Sequence, residues 1–291
     1  MESARTFRTD DGAVIAYRLA RPGAPRRTLV LLHGLASNLT RWSEFVAATR
    51  LADSWDILRV DLRGHGGSLW RGRVGMDVWC DDLAALLRAE GVGRAVFVGH
   101  CLGANLALWF ARREPQRVAG LVLIEPMCRR ALAGTLARVA VLRPLLAALA
   151  LPLRLLAALG VHRRHLAPLD LAELDRAARE TMTASGAFPQ ARYASPLEDL
   201  RSLPAAVYLQ DLVAVTGPLP ELSAIRAPAL ALLSAGGTFS DQQTTGRLIA
   251  PLPNCRIVRI AAQHWIPTEQ PEAMRAAIED WCDALAAGEA A

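Results

Sequence analysis

One short segment constrains the fold of this chain more than any other. Residues 95–98 form an apolar run typical of a buried strand, and apolar positions within residues 102–112 recur at helical spacing. Between them the chain runs from Gly99 to Cys101, and Gly103 follows two residues after the cysteine. A strand that turns this sharply into a helix needs small neighbours, because the turn residue adopts a strained backbone conformation. The pattern therefore predicts that Cys101 lies in a tight turn at the N-terminus of a helix.

Apolar runs and helical patterns alternate along the rest of the chain. This alternation is typical of an α/β fold, in which a mostly parallel sheet is covered by helices on both faces. The predicted strands are Ala13–Leu19, Thr28–Leu32, Asp56–Val60, Ala95–Val98, Val118–Ile124, Ala229–Leu233 and Arg256–Ile260. The predicted helices that accompany them are Met76–Glu90, Leu102–Arg112 and Pro271–Leu285.

Residues 127–223 interrupt the alternation. They carry no clear strand pattern and are typical of several helices rich in Leu, Ala and Arg, interrupted by prolines. We interpret them as an inserted helical cap, with residues 1–126 and 224–291 forming the core. The stretch Pro144–Val161 is apolar except for Arg154, and it is too interrupted to be a good membrane span. We expect it to pack against the main domain; the alternative is that it lines an acyl-sized pocket or contacts a membrane or a carrier surface.

The composition and the N-terminal residues limit which binding partners and which cellular location we expect. The net charge is +5 and the basic residues are scattered, so nucleic acid is not an expected partner. The first eleven residues are polar and resemble no secretory signal, which predicts a cytoplasmic protein. The spacing of the cysteines matches no metal site, so we expect free thiols, no metal and no cofactor. The five cysteines are Cys80, Cys101, Cys128, Cys255 and Cys282.

Two further segments supply groups for acyl-transfer chemistry at Cys101. His264 follows the last predicted strand, where an imidazole can take the thiol proton, hold the thiolate as an ion pair and protonate a leaving group. Leu35 follows a strand that ends in His-Gly, and Leu102 opens the helix after the cysteine. Their backbone amides are the predicted donors to a developing oxyanion.

A glycine-rich segment, Asp61–Ser68, has a simpler interpretation. Its glycines allow sharp turns, and the side chains of Asp61 and Arg63 can pin the loop by polar contacts. We predict a structural turn here and do not expect His65 to be the catalytic base.

These segments, in this order, resemble those of the α/β-hydrolase superfamily, in particular its capped branch of esterases, haloalkane dehalogenases and acyltransferases. The resemblance covers nearly the whole chain outside residues 127–223 and includes Glu269–Glu272 before the last helix. It implies an α/β-hydrolase fold with a mostly parallel central sheet, an oxyanion hole and a Cys101–His264 pair. It does not imply a substrate.

The third member of the expected catalytic triad departs from the family pattern. In most of these enzymes an Asp follows the strand that here ends at Leu233, but direct spacing places Gly237 at that position. Two acids can substitute for it: Glu125, at the end of the strand after the turn, and Asp241, a few residues further along the usual loop. We favour Glu125 over Asp241. A third possibility is that no acid is needed, because a thiolate–imidazolium pair is stabilised by its own charges.

A cysteine nucleophile favours a particular kind of chemistry. It forms a thioester acyl-enzyme, and thiolates attack thioesters readily. Superfamily members with a similar Gly-x-Cys-x-Gly turn include polyhydroxyalkanoate synthases, dienelactone hydrolases and some thioesterase or cyclase domains of natural-product biosynthesis. We therefore expect a thioesterase, acyltransferase or cyclase, acting on an acyl group carried by a phosphopantetheine carrier protein or coenzyme A. The alternatives are a simple ester or lactone hydrolase and a non-catalytic ligand-binding homologue.

Overall fold

The structure, a computed structural model, describes residues 2–21, 23 and 27–288. At its centre lies an eight-stranded sheet of order β1-β2-β4-β3-β5-β6-β7-β8. The first strand pairs antiparallel with the second and the second with the fourth, whereas all other neighbours are parallel. The strands are β1 Glu2–Arg8, β2 Val14–Ala20, β3 Arg27–Leu32, β4 Trp55–Val60, β5 Ala95–His100, β6 Val118–Ile124, β7 Ala229–Ser234 and β8 Cys255–Ile260.

Helices cover both faces of this sheet. Alternate residues of each central strand point to opposite faces: Leu29 and Leu31 of β3 pack on one side, Val30 and Leu32 on the other. The helices are α1 Ser43–Ala48, α2 Met76–Ala89, α3 Leu102–Arg113, α4 Gly134–Ala158, α5 Leu171–Ser185, α6 Gln190–Tyr193, α7 Pro196–Ser202, α8 Ala205–Val215, α9 Gln242–Ile249, α10 Ile266–Glu269 and α11 Pro271–Ala287. Helices α2 and α3 bury their apolar stripes on the Val30 side, α1 and α11 on the Leu29 side.

The observed sheet confirms the predicted fold class and all seven predicted strands, to within two residues at each end. The sequence interpretation missed β1. This strand lies at the antiparallel edge of the sheet, and its residues are half-buried or exposed, so it carries no apolar alternation. Helix α1, six residues long, was also missed.

The chain between β6 and β7 forms helices α4 to α8. The expectation that Pro144–Val161 packs against the main domain is wrong. This stretch, up to Ala158, belongs to one continuous helix, α4, which packs mainly against α8 of the same segment and leaves most of its leucines exposed. Pro144 and Pro152 lie inside α4 at exposed positions, where their rings meet solvent instead of packed side chains.

Candidate active site

The turn between β5 and α3 holds Cys101 in a strained conformation. Its φ is 53° and its ψ is −112°, a combination that L-residues rarely adopt. The backbone N–H of Cys101 donates to the carbonyl of Ile124 on β6, at 2.9 Å. A Cβ on Gly99 would lie 2.3 Å from the backbone of Gly103, so the turn can close only with glycine. The strain is therefore held by backbone packing on both sides of the thiol.

The imidazole of His264 lies beside this thiol and is buried. Its Nδ1 donates to Oε2 of Glu125, at 3.1 Å. Burial lowers the pKa of His264, but interactions with the sulfur of Cys101 and the carboxylate of Glu125 outweigh burial and raise the pKa to about 9. The imidazolium is thus the favoured form at neutral pH, and it is placed to form an ion pair with a thiolate.

The Glu125 carboxylate is fully buried at the end of β6. The residue has a φ of 53°, and its backbone N–H donates to Leu232 on β7, at 3.0 Å. Its Oε1 accepts the N–H of Ser234 at 2.6 Å, and its Oε2 accepts Nε2 of Gln242 at 2.9 Å as well as His264. Two donors other than the imidazole therefore fix the carboxylate against it, as an orienting acid requires.

Asp241, the other acid considered from the sequence, has a different position. Its exposed carboxylate accepts the N–H of Thr244 at 2.7 Å and caps the N-terminus of α9. Hydrogen bonding to Thr244 also lowers the pKa of Asp241. The structure brings Glu125, and not Asp241, to the imidazole. The same loop still serves the site, because the next residue, Gln242, contacts Glu125.

Gln242 is a positioning residue that sequence reasoning missed. Its side chain is buried, and its Nε2 bridges Oε2 of Glu125 and Oγ of Ser240, each at 2.9 Å. The only sequence signal was its place in the loop that usually carries the acid.

We expect Gln242→Ala to lower the kcat of ester or thioester turnover on the order of tenfold, with little change in KM. The variant leaves the carboxylate of Glu125 with fewer donors, so the imidazole of His264 is held less firmly. Steady-state kinetics measure the effect, with the exposed Gln116→Ala as a matched control. An unchanged kcat would contradict the positioning role.

The loop that carries His264 is held by a second buried carboxylate, that of Glu269. Its oxygens accept the backbone N–H groups of Gln263, His264 and Trp265, at 2.9 to 3.2 Å. The ring of Phe239 meets the imidazole edge-on, with centroids 4.9 Å apart. These contacts fix both the backbone and the ring plane of the histidine.

The predicted oxyanion donors both belong to segments that adjoin Cys101. Leu102 is the first residue of α3, and the loop of Leu35 packs directly on the turn, because a Cβ on Gly34 would lie 3.4 Å from Cβ of Cys101. Among the described residues neither amide, of Leu35 or Leu102, donates to a protein acceptor. Both are therefore free to bind a negative oxygen that develops near the sulfur.

Asp61–Ser68 is a structural turn, as predicted from the sequence. The carboxylate of Asp61 accepts the N–H groups of Leu39 and Gly67, at 2.6 and 2.8 Å. His65 is fully buried away from the thiol, and its Nε2 pairs with Oδ2 of Asp211 on α8 at 2.8 Å. This buried pair connects the core to the helices between β6 and β7.

A cavity of about 670 Å³ opens above the thiol. Cys101 and His264 form its floor, and its wall comes largely from residues 167–202, with further residues from α4 and α8. Its apolar lining includes Leu35, Leu136, Val139, Leu212, Val215 and Phe239. A second cavity of about 810 Å³ lies next to it, between the N-terminal strands and residues 164–169, and contains neither catalytic candidate. The first cavity has the volume and lining of a small-molecule site.

Known proteins share this architecture. A family model described as alpha/beta hydrolase fold matches residues 27–271, and the chain belongs to this family. A hydrolase from Pseudomonas aeruginosa has a TM-score of 0.69 and 25% identity, with 96% of this chain and 97% of that chain covered. An esterase from Thermogutta terrifontis has a TM-score of 0.69 at 24% identity, over 98% and 99% of the two chains, and shares the fold.

Curated relatives match over shorter stretches. Lipase LipV of Mycobacterium tuberculosis is 37% identical over 105 residues, which are 36% of this chain and 39% of the lipase. A 2-succinyl-6-hydroxy-2,4-cyclohexadiene-1-carboxylate synthase of Serratia proteamaculans is 32% identical over 112 residues, 38% and 43% of the two chains. The chain spans about a third of the length of the first curated relatives it matches. Esterases and lipases among the relatives support the assignment of this chain as an enzyme.

Proposed function

We propose that this protein is an acyl-transfer enzyme that works through a thioester acyl-enzyme on Cys101. One observation carries the proposal: Cys101 sits at the strained turn, beside His264, and His264 donates to the buried Glu125. A thiol, an imidazole and a carboxylate in this order are the arrangement that nucleophilic acyl transfer requires.

The geometry supports a two-step reaction. The thiolate of Cys101 attacks the acyl carbonyl carbon, and the amides of Leu35 and Leu102 stabilise the tetrahedral oxyanion. The intermediate collapses, the bond to the leaving alcohol or thiol breaks, and the imidazolium of His264 protonates that leaving group. In the second step His264 takes a proton from the acceptor, which attacks the thioester. The product leaves and the thiol of Cys101 is restored.

The cavity supports an acyl group of apolar character as the substrate. Its wall is mainly aliphatic and aromatic, and it encloses the thiol below the surface. Among the arginines at the cavity, Arg41 pairs with Asp175 and Arg201 with Glu198, so Arg192 is the cation that favours an anionic carrier such as phosphopantetheine or coenzyme A.

The direct test is intact-mass analysis after exposure to a panel of acyl thioesters. We expect one acyl adduct on the wild type and none on Cys101→Ala, whereas His264→Ala should acylate far more slowly. Absence of any adduct on the wild type across the panel, with no effect of the Cys101→Ala change on turnover, would defeat the proposal.

A second candidate is hydrolysis of a simple ester or lactone at the same cysteine. The resemblance to a lipase and to a thermophilic esterase favours it. Product partitioning separates the two. With an added amine or alcohol, a transferase yields mainly the acyl adduct of that acceptor, and a hydrolase yields mainly the free acid.

A third candidate, from another class, is a non-catalytic ligand-binding protein. Thiol titration separates it from both enzymes, because a Cys101 that stays unreactive towards alkylating agents at neutral pH would favour binding without catalysis.

The raised pKa of His264 predicts an alkaline limit to activity. Below about pH 9 the imidazolium is present and the ion pair with the thiolate can form; above it the proton is lost, so the acylation rate should fall as pH rises through about 9. Glu125→Gln removes a charge that raises this pKa. The fall in acylation rate at alkaline pH should therefore move to lower pH by about 1 to 3 units.

Stopped-flow measurements of the acylation rate between pH 6 and 10 define this alkaline limb of the pH–rate profile. Asp241→Asn is the matched control, because this carboxylate is exposed and caps α9. If Asp241→Asn moves the limb and Glu125→Gln does not, the assignment of the acid is wrong.

A further inference from the structure

Helix α4 presents an apolar face that no other element covers within the part of the chain that the structure describes. We call its members the outer stripe; they recur every three, four or seven residues and so lie along one side of the helix. Each is 43% to 79% exposed. The outer stripe consists of Val141, Leu145, Leu149, Leu156 and Leu159. Isolated exposed leucines are common in soluble proteins, but a row of five apolar residues along about five turns is typical of an interaction surface.

The opposite side of α4 faces the cavity and contacts α8. Leu136 and Val139 line the cavity above Cys101, and Nε of Arg143 donates to the carbonyl of Val213 on α8, at 2.9 Å. By length and composition α4 could cross a membrane. Spanning would break these contacts and place Arg143 and Arg154 within the hydrocarbon, which is costly. A surface that uses α4 without displacing it must lie parallel to the helix.

The charged residues of the segment that carries the outer stripe have a single sign. The sequence contains no Asp or Glu between Glu125 and Asp170. Arginines stand at both ends of the helix, and they are exposed. These end arginines are Arg129, Arg130 and Arg138 before the stripe, and Arg163 and Arg164 after it. An apolar row bordered by cations at each end complements an anionic lipid surface, with acyl chains against the leucines and phosphates against the guanidinium groups.

We infer that α4 docks this protein on an anionic phospholipid bilayer, lying in the plane of the interface with the outer stripe in the acyl region. A second copy of the chain fits the same surface poorly. Because both ends of the helix carry arginines, a parallel and an antiparallel pairing of two α4 helices each bring cations against cations.

Docking places the catalytic cavity at the membrane. Since α4 carries the outer stripe on one side and cavity-lining residues on the other, an acyl substrate dissolved in the bilayer would have a short path to Cys101. This consequence rests on the proposed function; the docking itself does not, and Cys101→Ala should bind vesicles as the wild type does.

Vesicle sedimentation tests the docking. We expect partitioning onto phosphatidylcholine vesicles containing phosphatidylglycerol to exceed that onto phosphatidylcholine alone by at least about tenfold at low salt, and to weaken as salt rises. The triple variant Leu145→Ser/Leu149→Ser/Leu156→Ser should lose at least about tenfold in partitioning. The triple variant Arg129→Gln/Arg130→Gln/Arg138→Gln should lose the preference for phosphatidylglycerol.

Leu197→Ser is the matched control, because Leu197 is 78% exposed on α7, away from the outer stripe. Turnover of a water-soluble short-chain ester and circular dichroism verify that every variant is folded. Absence of wild-type binding to either vesicle, or equal loss in Leu197→Ser, would overturn the inference. So would a dimer in sedimentation velocity that the leucine variant dissociates, if the wild type binds no vesicles.

Discussion

Cys101→Ala is expected to lower kcat/KM for acyl thioesters and esters by about 10³-fold or more and to abolish the covalent acyl adduct. The variant keeps the amides of Leu35 and Leu102 and the cavity, so binding of the acyl group should persist. What it removes is the atom that forms the bond to the acyl carbon. Alanine is smaller than cysteine, so it should fit the strained turn. Because substrate binding persists, the loss should appear in kcat.

Alkylation with iodoacetamide at neutral pH provides an independent readout. Burial raises the pKa of Cys255 to about 11 and the pKa of the other three thiols, Cys80, Cys128 and Cys282, to about 12. These four thiols should therefore stay unmodified, and intact mass should show one adduct on the wild type and none on Cys101→Ala. Full turnover by Cys101→Ala, or alkylation at another cysteine with loss of activity, would exclude Cys101 as the nucleophile.

A matched variant, Cys101→Ser, tests whether the reaction needs sulfur or only a nucleophilic atom at this position. Cys101→Ser keeps an atom at the attacking position but replaces the thiolate with a weaker acid that depends fully on His264 as base. We expect it to lose iodoacetamide labelling and to keep measurable turnover, well above that of Cys101→Ala. A variant as inactive as alanine would show that the surroundings are built for a sulfur nucleophile.

The parts of the site that lie next to each other in sequence were predictable. The turn around Cys101 combines a strand, two glycines and a helix within about ten residues, and each of these has a local signal. The seven predicted strands were equally local, since each was predicted from a mostly apolar run of four to seven residues. Strand β1 was not predictable in this way, because its pairing with β2 depends on backbone hydrogen bonds and its side chains are largely polar.

The acid and its supports depend on contacts between distant segments. Glu125 reaches His264 because its backbone has a left-handed φ at the end of β6. No local sequence pattern predicts this φ. The donors Ser234 and Gln242 come from over a hundred residues away and meet the carboxylate only because β6 and β7 are neighbours in the sheet. Sequence reasoning could therefore propose two acids, and the structure brings one of them to the imidazole.

Helix α4 shows what hydropathy leaves undetermined. The apolar stretch after Pro144 was evident, but composition does not say which side is covered or by what. The expectation of packing on the main domain followed from the usual burial of apolar residues. In the structure one side contacts α8 and the cavity, whereas the outer stripe faces outward.

Gly103→Ala should be strongly destabilising, although it adds only one methyl group. Two effects oppose each other. Alanine is favoured over glycine inside a helix by about 1 kcal/mol. However, a Cβ on Gly103 would lie 2.4 Å from the carbonyl oxygen of Leu32 and 2.6 Å from that of His33. Both are backbone atoms at the end of the central strand β3, so they cannot rotate away as a side chain would.

The steric clash should outweigh the higher helix propensity of alanine, because relieving the clash requires α3 to move away from β3 together with the turn that holds Cys101. We expect the free energy of unfolding to fall by about 3 kcal/mol and Tm by about 10 °C, measured by urea and thermal denaturation. Gly93→Ala is the control: it lies just before β5, a Cβ there meets nothing within 4 Å, and its stability should stay within about 0.5 kcal/mol of wild type. If the two variants unfold alike, the contact of α3 with β3 does not hold the turn. If Gly103→Ala alone is destabilised and its residual acylation per folded molecule also falls, the same backbone contact sets both the stability of the sheet and the position of the thiol.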